Sequence, residues 1–205
     1  MNPAARIIAG VDEAGRGPIA GPVVTAAVIL TPPQFRLLLS EGLNDSKKLN
    51  ERARERIFAR MEELGVIWRA RAASHKRIDK TNILRATLWA MARAVLSLPV
   101  APEIIVVDGT IYIPELERER QIAIPKADAK VPAVMAASVV AKVLRDRAMR
   151  SLGKLYPDYG FAGHKGYPTK AHRLACDALG PSPVHRLSFE GYNKTARGGV
   201  QGWHI

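Results

Sequence analysis

The sequence predicts a single α/β domain on three observations: short apolar runs rich in valine and isoleucine, helical stretches with clear start and stop signals between them, and hydrophobic content sufficient for one core. The chain has 205 residues, 47% of them hydrophobic, which suits one well-filled core with at most a small appendage. Residues 6–11 (RIIAGV) and 20–30 (AGPVVTAAVIL) are nearly continuous apolar runs, the pattern of buried strands. Glycines between them mark a tight turn. In 66–72 (VIWRARA), Trp68, Ala70 and Ala72 alternate with Arg69 and Arg71, which predicts a third strand with one wet face. Ahead of that strand, Asn50 as N-cap, Glu51 in the first turn and Gly65 just past the end bracket a helix. Residues 81–97 form a second helix with Ile83, Leu84, Leu88, Met91 and Val95 on one side, stopped by Pro99 and Pro102. The run EIIVV at 103–107 is a fourth strand. A longer helix over roughly 132–150 follows from Val134, Ala137, Ala141 and Leu144, with Pro132 tolerated in its first turn, and 168–180 is a further short helix. This order lacks the strict βαβ repeat of a doubly wound dinucleotide fold.

There is no internal repeat, low-complexity tract or obvious linker. Residues 1–150 are expected to form the main unit, 151–193 a helical extension packed on its sheet, and 194–205 (KTARGGVQGWHI), Gly-rich and polar, a poorly ordered tail. Lysine and arginine number 31 against 19 aspartates and glutamates, a net charge of +12. Such an excess points to a polyanionic partner, nucleic acid or an anionic surface. The single cysteine, Cys176, excludes an intramolecular disulfide framework and any thiolate-rich zinc or iron–sulfur site, and fits a reducing compartment. No apolar stretch reaches the ~20 residues that span a bilayer, and the N-terminus carries no signal-peptide pattern. The expectation is a cytoplasmic protein with no membrane segment.

The most informative stretch is GVDEAGRGPIAGPV at 10–23. Asp12 and Glu13 terminate an apolar strand, where burying two acids is costly unless a cation or donors compensate them. Neighbouring strand residues point to opposite faces, so both carboxylates serve one site only if the strand ends or bends there, which Gly15 and Gly17 allow. Asp108 closes the strand EIIVV and precedes Gly109, and Asp128 in KADAK lies just before the long helix. Each alone reads as a turn or helix-leading acid. Together, Asp12, Glu13, Asp108 and Asp128 make an all-oxygen set, which selects Mg²⁺ or Mn²⁺ over zinc. A pair of such ions about 4 Å apart supports in-line phosphodiester displacement. Lys47 and Lys48 in NDSKKL, Lys165 in HKGY and Arg186 in HRLSF are the basic residues expected to hold phosphates.

These segments resemble the ribonuclease HII family. The resemblance is carried by DEAGRGPIAGPV at 12–23, NDSKKL at 44–49, IDKTNILRATLWAM at 78–91, VVDG at 106–109, KADAKVPAVMAASVVAKVLRDRAM at 126–149, YGFAGHKGYPTKAH at 159–172 and HRLSF at 185–189, in family order over residues 7–189. It implies a ribonuclease H-like mixed sheet flanked by helices, with residues 1–150 as the catalytic core and a helical C-terminal extension. It also implies a cytoplasmic enzyme of genome maintenance that cuts RNA in RNA/DNA hybrids, or 5′ of ribonucleotides embedded in duplex DNA.

Residue by residue, the resemblance assigns Asp12, Glu13, Asp108 and Asp128 as catalytic and metal-binding carboxylates. Gly15, Arg16 and Gly17 become the loop that recognises the ribose 2′-hydroxyl, a group that both donates and accepts, and Tyr167 the ring on the sugar that follows. The Gly-Arg-Gly arrangement is absent from the sister type, ribonuclease HIII, and so implies cutting at single embedded ribonucleotides. KADAK stands for the more usual Lys-Gly-Asp, and Leu144 for a common threonine. Asp146 is read as structural, His164, His172 and His185 as structural or phosphate-side residues rather than metal ligands, and the enzyme as a monomer. The rival from another class is a non-catalytic basic nucleic-acid-binding protein whose acids are merely turns; its binding would weaken steeply with salt and need no divalent ion.

Overall fold

The computed structural model describes residues 6–190, so the tail expected at 194–205 lies outside the described residues. In chain order the elements are β1 (Ile8–Ala14), β2 (Val23–Ile29), α1 (Pro32–Ser40), α2 (Glu51–Glu63), β3 (Ile67–Ala73), α3 (His75–Lys80), α4 (Ile83–Leu96), β4 (Ile104–Asp108), β5 (Gln121–Ile124), α5 (Pro132–Leu155), α6 (Phe161–His164) and α7 (Lys170–Leu179). The five strands form one mixed sheet in the order β3-β2-β1-β4-β5. β1 pairs antiparallel with β2, and β2 with β3, whereas β4 runs parallel to β1, and β5 to β4.

Alternation along β1 divides its side chains between two layers. Val11 joins Ala27, Met91, Ile105 and Val107 on the face covered by α4. Ala14 lies with Ala26, Val28, Ala136 and Val140 on the face covered by α2 and α5. The start of α5 lies against β1 because residue 10 is glycine: a Cβ there would sit 2.2 Å from the Ala133 carbonyl carbon and the Val134 nitrogen. Pro132 opens α5 at a position whose N–H would have no intrahelical acceptor. α6 packs on α5, with Gly153 letting Ala162 approach it.

Two strand ends differ from expectation. β1 runs on through Asp12, Glu13 and Ala14, paired with Ala26, Thr25 and Val24, so the acids lie inside a strand rather than past its end. The expected strand at 20–30 shortens to Val23–Ile29. α1, α3 and β5 are elements the periodicity did not reveal. α1 is closed by a reciprocal cap between Thr31 and Gln34, α3 starts at the Ser74 cap, and β5 is four residues on a parallel edge offered by β4.

Candidate active site

Because β1 continues, Asp12 and Glu13 do separate to opposite faces. Asp12 shares the α5 side with Gly10 and Ala14. Parallel pairing sets Gly10 opposite Val106 and Val11 opposite Val107, so Asp12 and Asp108 are the next step of that register at the carboxyl end of both strands. Asp128 enters from the 3₁₀ turn Ala127–Ala129 that leads into α5. Carboxylate oxygens of Asp12, Asp108 and Asp128 all lie within 4.8 Å of one another. Two of the acids also accept from backbone: Asp108 Oδ1 from the Ala127 N–H at 2.7 Å, and Asp12 Oδ1 from the Glu13 N–H at 2.7 Å. Glu13 stands outside this trio, on the α4 side, with Arg16 Nη1 3.7 Å from its carboxylate. There it lines an open cleft of about 250 Å³ with Arg16, Thr87, Met91 and Asp108. Asp108, at the strand tip, borders both faces.

The electrostatics are those of a site short of positive charge. Burial, then repulsion from Glu13 and Asp108, pushes the Asp12 carboxyl well above its ordinary value. Burial also raises Glu13, with the Arg16 guanidinium pulling the other way. Lys47, on the loop before α2, donates from Nζ to Asp128 Oδ2 at 2.8 Å, and that hydrogen bond raises its own pKa. The donor chemistry fits a hard divalent cation: three converging carboxylates, two of them buried, with no sulfur or imidazole among them.

The expected basic residues divide. Lys47 reaches the acids, and Lys48 is exposed on the same loop. That loop is tied to α5 by Arg54, which donates to the carbonyls of Ser46 and Leu49 and reaches Asp146 at 3.4 Å. Asp146 also accepts from Lys142, in keeping with a structural acid. Lys165 is turned aside, its ammonium donating to the Ala162 carbonyl and lying 3.4 Å from Glu51. Arg186 must be corrected as a phosphate contact. Its side chain is wholly buried and donates to the backbone carbonyls of Gly15, Arg16, Pro18 and Gly21. A guanidinium committed beneath a loop cannot meet a phosphate above it.

Gly15, Arg16 and Gly17 follow β1 directly. Gly15 has φ +100°, and a Cβ there would fall 1.9 Å from Arg145 Nε, so both backbone and packing demand glycine. A Cβ on Gly17 would lie 3.7 Å from Tyr167 Cε1, which places the exposed tyrosine ring beside this loop. Arg145, absent from the sequence reading, lies under both. In LRDRAM it looks like one more helix-surface cation, and nothing local marks it as buried.

Behind Tyr167, His172, Cys176 and His185 form a second buried group close enough to resemble a metal site. Its hydrogen bonds argue otherwise. His185 Nδ1 accepts from the Ser182 N–H at 2.9 Å, so Nε2 carries the proton of a neutral ring. It donates to His172 Nε2 at 3.0 Å, and His172 Nδ1 donates to the Tyr167 carbonyl at 2.8 Å. That chain leaves no lone pair on His185 Nε2 for a cation. Burial drives both imidazoles down to about 4 and the Cys176 thiol up to about 11. His164 Nε2 donates to the Tyr159 carbonyl and its ring stacks on His172.

The family model for ribonuclease HII matches residues 9–192. Among solved structures, the ribonuclease H2 of Pyrococcus horikoshii OT3 is 30% identical, with 90% of this chain and 94% of that one covered at a TM-score of 0.72. The ribonuclease HII of Archaeoglobus fulgidus, solved in complex with PCNA, is 31% identical over 88% and 92%, at 0.71. Bst-RNase HIII, solved with Mn²⁺, shares the fold at 21% identity, over 94% and 69%, with a TM-score of 0.71.

Proposed function

The chain belongs to the ribonuclease HII family, a metal-dependent ribonuclease acting on RNA/DNA hybrids, and on that premise we propose that it also cuts duplex DNA 5′ of single embedded ribonucleotides, leaving 3′-hydroxyl and 5′-phosphate ends. The observation that carries this reading is the convergence of Asp12, Asp108 and Asp128 beside a glycine loop that abuts Tyr167. Asp12, Glu13, Asp108 and Asp128 would hold the divalent ions, with Glu13 serving from the opposite face beside Asp108. When bound, two Mg²⁺ or Mn²⁺ ions supply Lewis acidity for the attacking water and the departing 3′-oxygen.

The protein's own residues do the selecting. The backbone of Gly15, Arg16 and Gly17 meets the 2′-hydroxyl, and its glycines admit the sugar closely. The Tyr167 ring packs on the next sugar, where a missing 2′-oxygen suits a flat apolar surface. Lys47 and Lys48 neutralise phosphates. The 2′-hydroxyl is read and does not attack, so no 2′,3′-cyclic phosphate forms. In this reading the enzyme is a cytoplasmic monomer serving DNA repair and replication.

The test is incubation of three duplexes with and without Mg²⁺ or Mn²⁺: DNA with one ribonucleotide, an RNA/DNA hybrid, and all-DNA. Metal-dependent cleavage of the first two, with the stated ends, is expected. Cutting of all-DNA, or a cyclic phosphate end, overturns the reading. Metal-independent binding without cleavage favours the binding-protein alternative.

A further inference from the structure

Two fully buried arginines, far apart in sequence, converge under the loop assigned to ribose recognition. Arg186 spreads its guanidinium over one tight turn: Nη2 donates to the Gly15 carbonyl at 2.7 Å, Nη1 to Arg16 at 3.0 Å and Pro18 at 2.6 Å, and Nε to Gly21 at 3.0 Å. Arg145 bridges that turn to the tyrosine segment. Its Nε donates to the Pro22 carbonyl at 3.1 Å and its Nη2 to the carbonyls of Ala20, at 3.5 Å, and Lys165, at 2.9 Å. A backbone bond from the Ile19 N–H to the Gly166 carbonyl, 2.9 Å, runs beside it. Burying these cations is costly; for Arg186 burial, then Arg145, lowers the pKa to about 9. Only a planar fork with five donors can gather so many carbonyls, and a lysine ammonium cannot reproduce it.

We propose that Arg186, which braces the 15–21 turn, and Arg145, which ties that turn to the Tyr167 segment, are positioning residues that together set the register between the ribose being read and the sugar that follows. This rests on the function proposed above and deepens it. A hybrid presents a 2′-hydroxyl at every step, so a loop that has slipped against the ring still finds one. A single embedded ribonucleotide offers one register only. Loss of the lock therefore weighs more on the single-ribonucleotide duplex than on the hybrid, whereas a merely structural role lowers both by the same factor.

The experiment compares kcat/KM for both substrates in wild type, Arg145→Lys and Arg186→Lys, each confirmed folded by circular dichroism. Both substrates lose, and the single-ribonucleotide duplex is expected to lose roughly 10- to 100-fold more, the scale of a misplacement of about 1 Å. An unchanged ratio in a folded variant overturns the proposal. Failure of wild type to cut the single-ribonucleotide duplex would instead sink the function it rests on. Should neither variant fold, native-state hydrogen exchange of the wild type decides. Amides of 15–21 and 164–167 are expected to open as one unit, and independent opening of the two segments overturns the lock.

Discussion

Lys47 Nζ lies 2.8 Å from Asp128 Oδ2, joining residues 81 positions apart at the edge of the carboxylate trio. The lysine side chain is largely exposed and the aspartate buried, so the pair sets a solvated cation against a buried anion. Under the proposed function, Lys47 would compete with a metal ion for Asp128 while drawing phosphate toward it. Replacing it with methionine is expected to tighten Mn²⁺ binding by about two- to fivefold, the scale of an exposed ion pair, as read by titration calorimetry without nucleic acid. The same variant should lower the salt dependence of substrate binding by about one phosphate contact. Weaker Mn²⁺ binding would remove Lys47 from this role.

Asp12 makes the stability of the metal-free protein fall as pH rises above the ordinary carboxyl range. Its folded-state pKa is raised, first by burial and then by Glu13 and Asp108, so the folded protein favours the protonated acid. Its stabilising contribution is full below the unfolded value near 3.9 and is lost as pH rises through the folded value. Asp12→Asn is expected to raise the melting temperature at pH 8 by about 2–4 °C per kcal/mol recovered, with the gain vanishing near pH 4. Added Mn²⁺ should stabilise the wild type more than this variant. A pH-independent difference between the two would contradict the assignment.

Asp108 can be altered without disturbing its surroundings. In Asp108→Asn the amide oxygen still accepts from the Ala127 N–H, now bonded at 2.7 Å, while one anionic donor is gone. Cleavage is expected to fall by at least 10²–10³-fold, on the order of losing one electrostatic stabiliser. Binding to the hybrid should hold or tighten as negative charge leaves the site. Near-normal turnover would take Asp108 out of the catalytic set.

The histidine pair behind Tyr167 should stay neutral well into acid. Both folded-state pKa values are lowered to about 4, below the ordinary 6.5. Their contribution to stability is therefore present above pH 6.5 and lost as pH falls toward 4. Nitrogen-detected NMR should find His172 as the Nδ1–H tautomer and His185 as Nε2–H, neither titrating between pH 8 and 5. Titration near 6.5, or a tautomer shift on adding zinc, would show a different network.

Much was legible in local sequence because it depends on local chemistry. Asn50 caps α2 through its side chain, Pro132 opens α5, and buried apolar runs form β1, β2 and β4. The motifs that carry the family likeness include all four carboxylates. Tertiary structure alone decided which face each acid takes: pairing to Ala26 and Thr25 carries β1 past Val11, putting Asp12 with Asp108 and Asp128 and Glu13 across the sheet. It also turned Arg186 from an expected surface cation into a buried tie, because its acceptors are carbonyls 165–171 positions away. A side chain's chemistry is written in its own position, but whether it faces water, substrate or backbone depends on partners that only folding brings near.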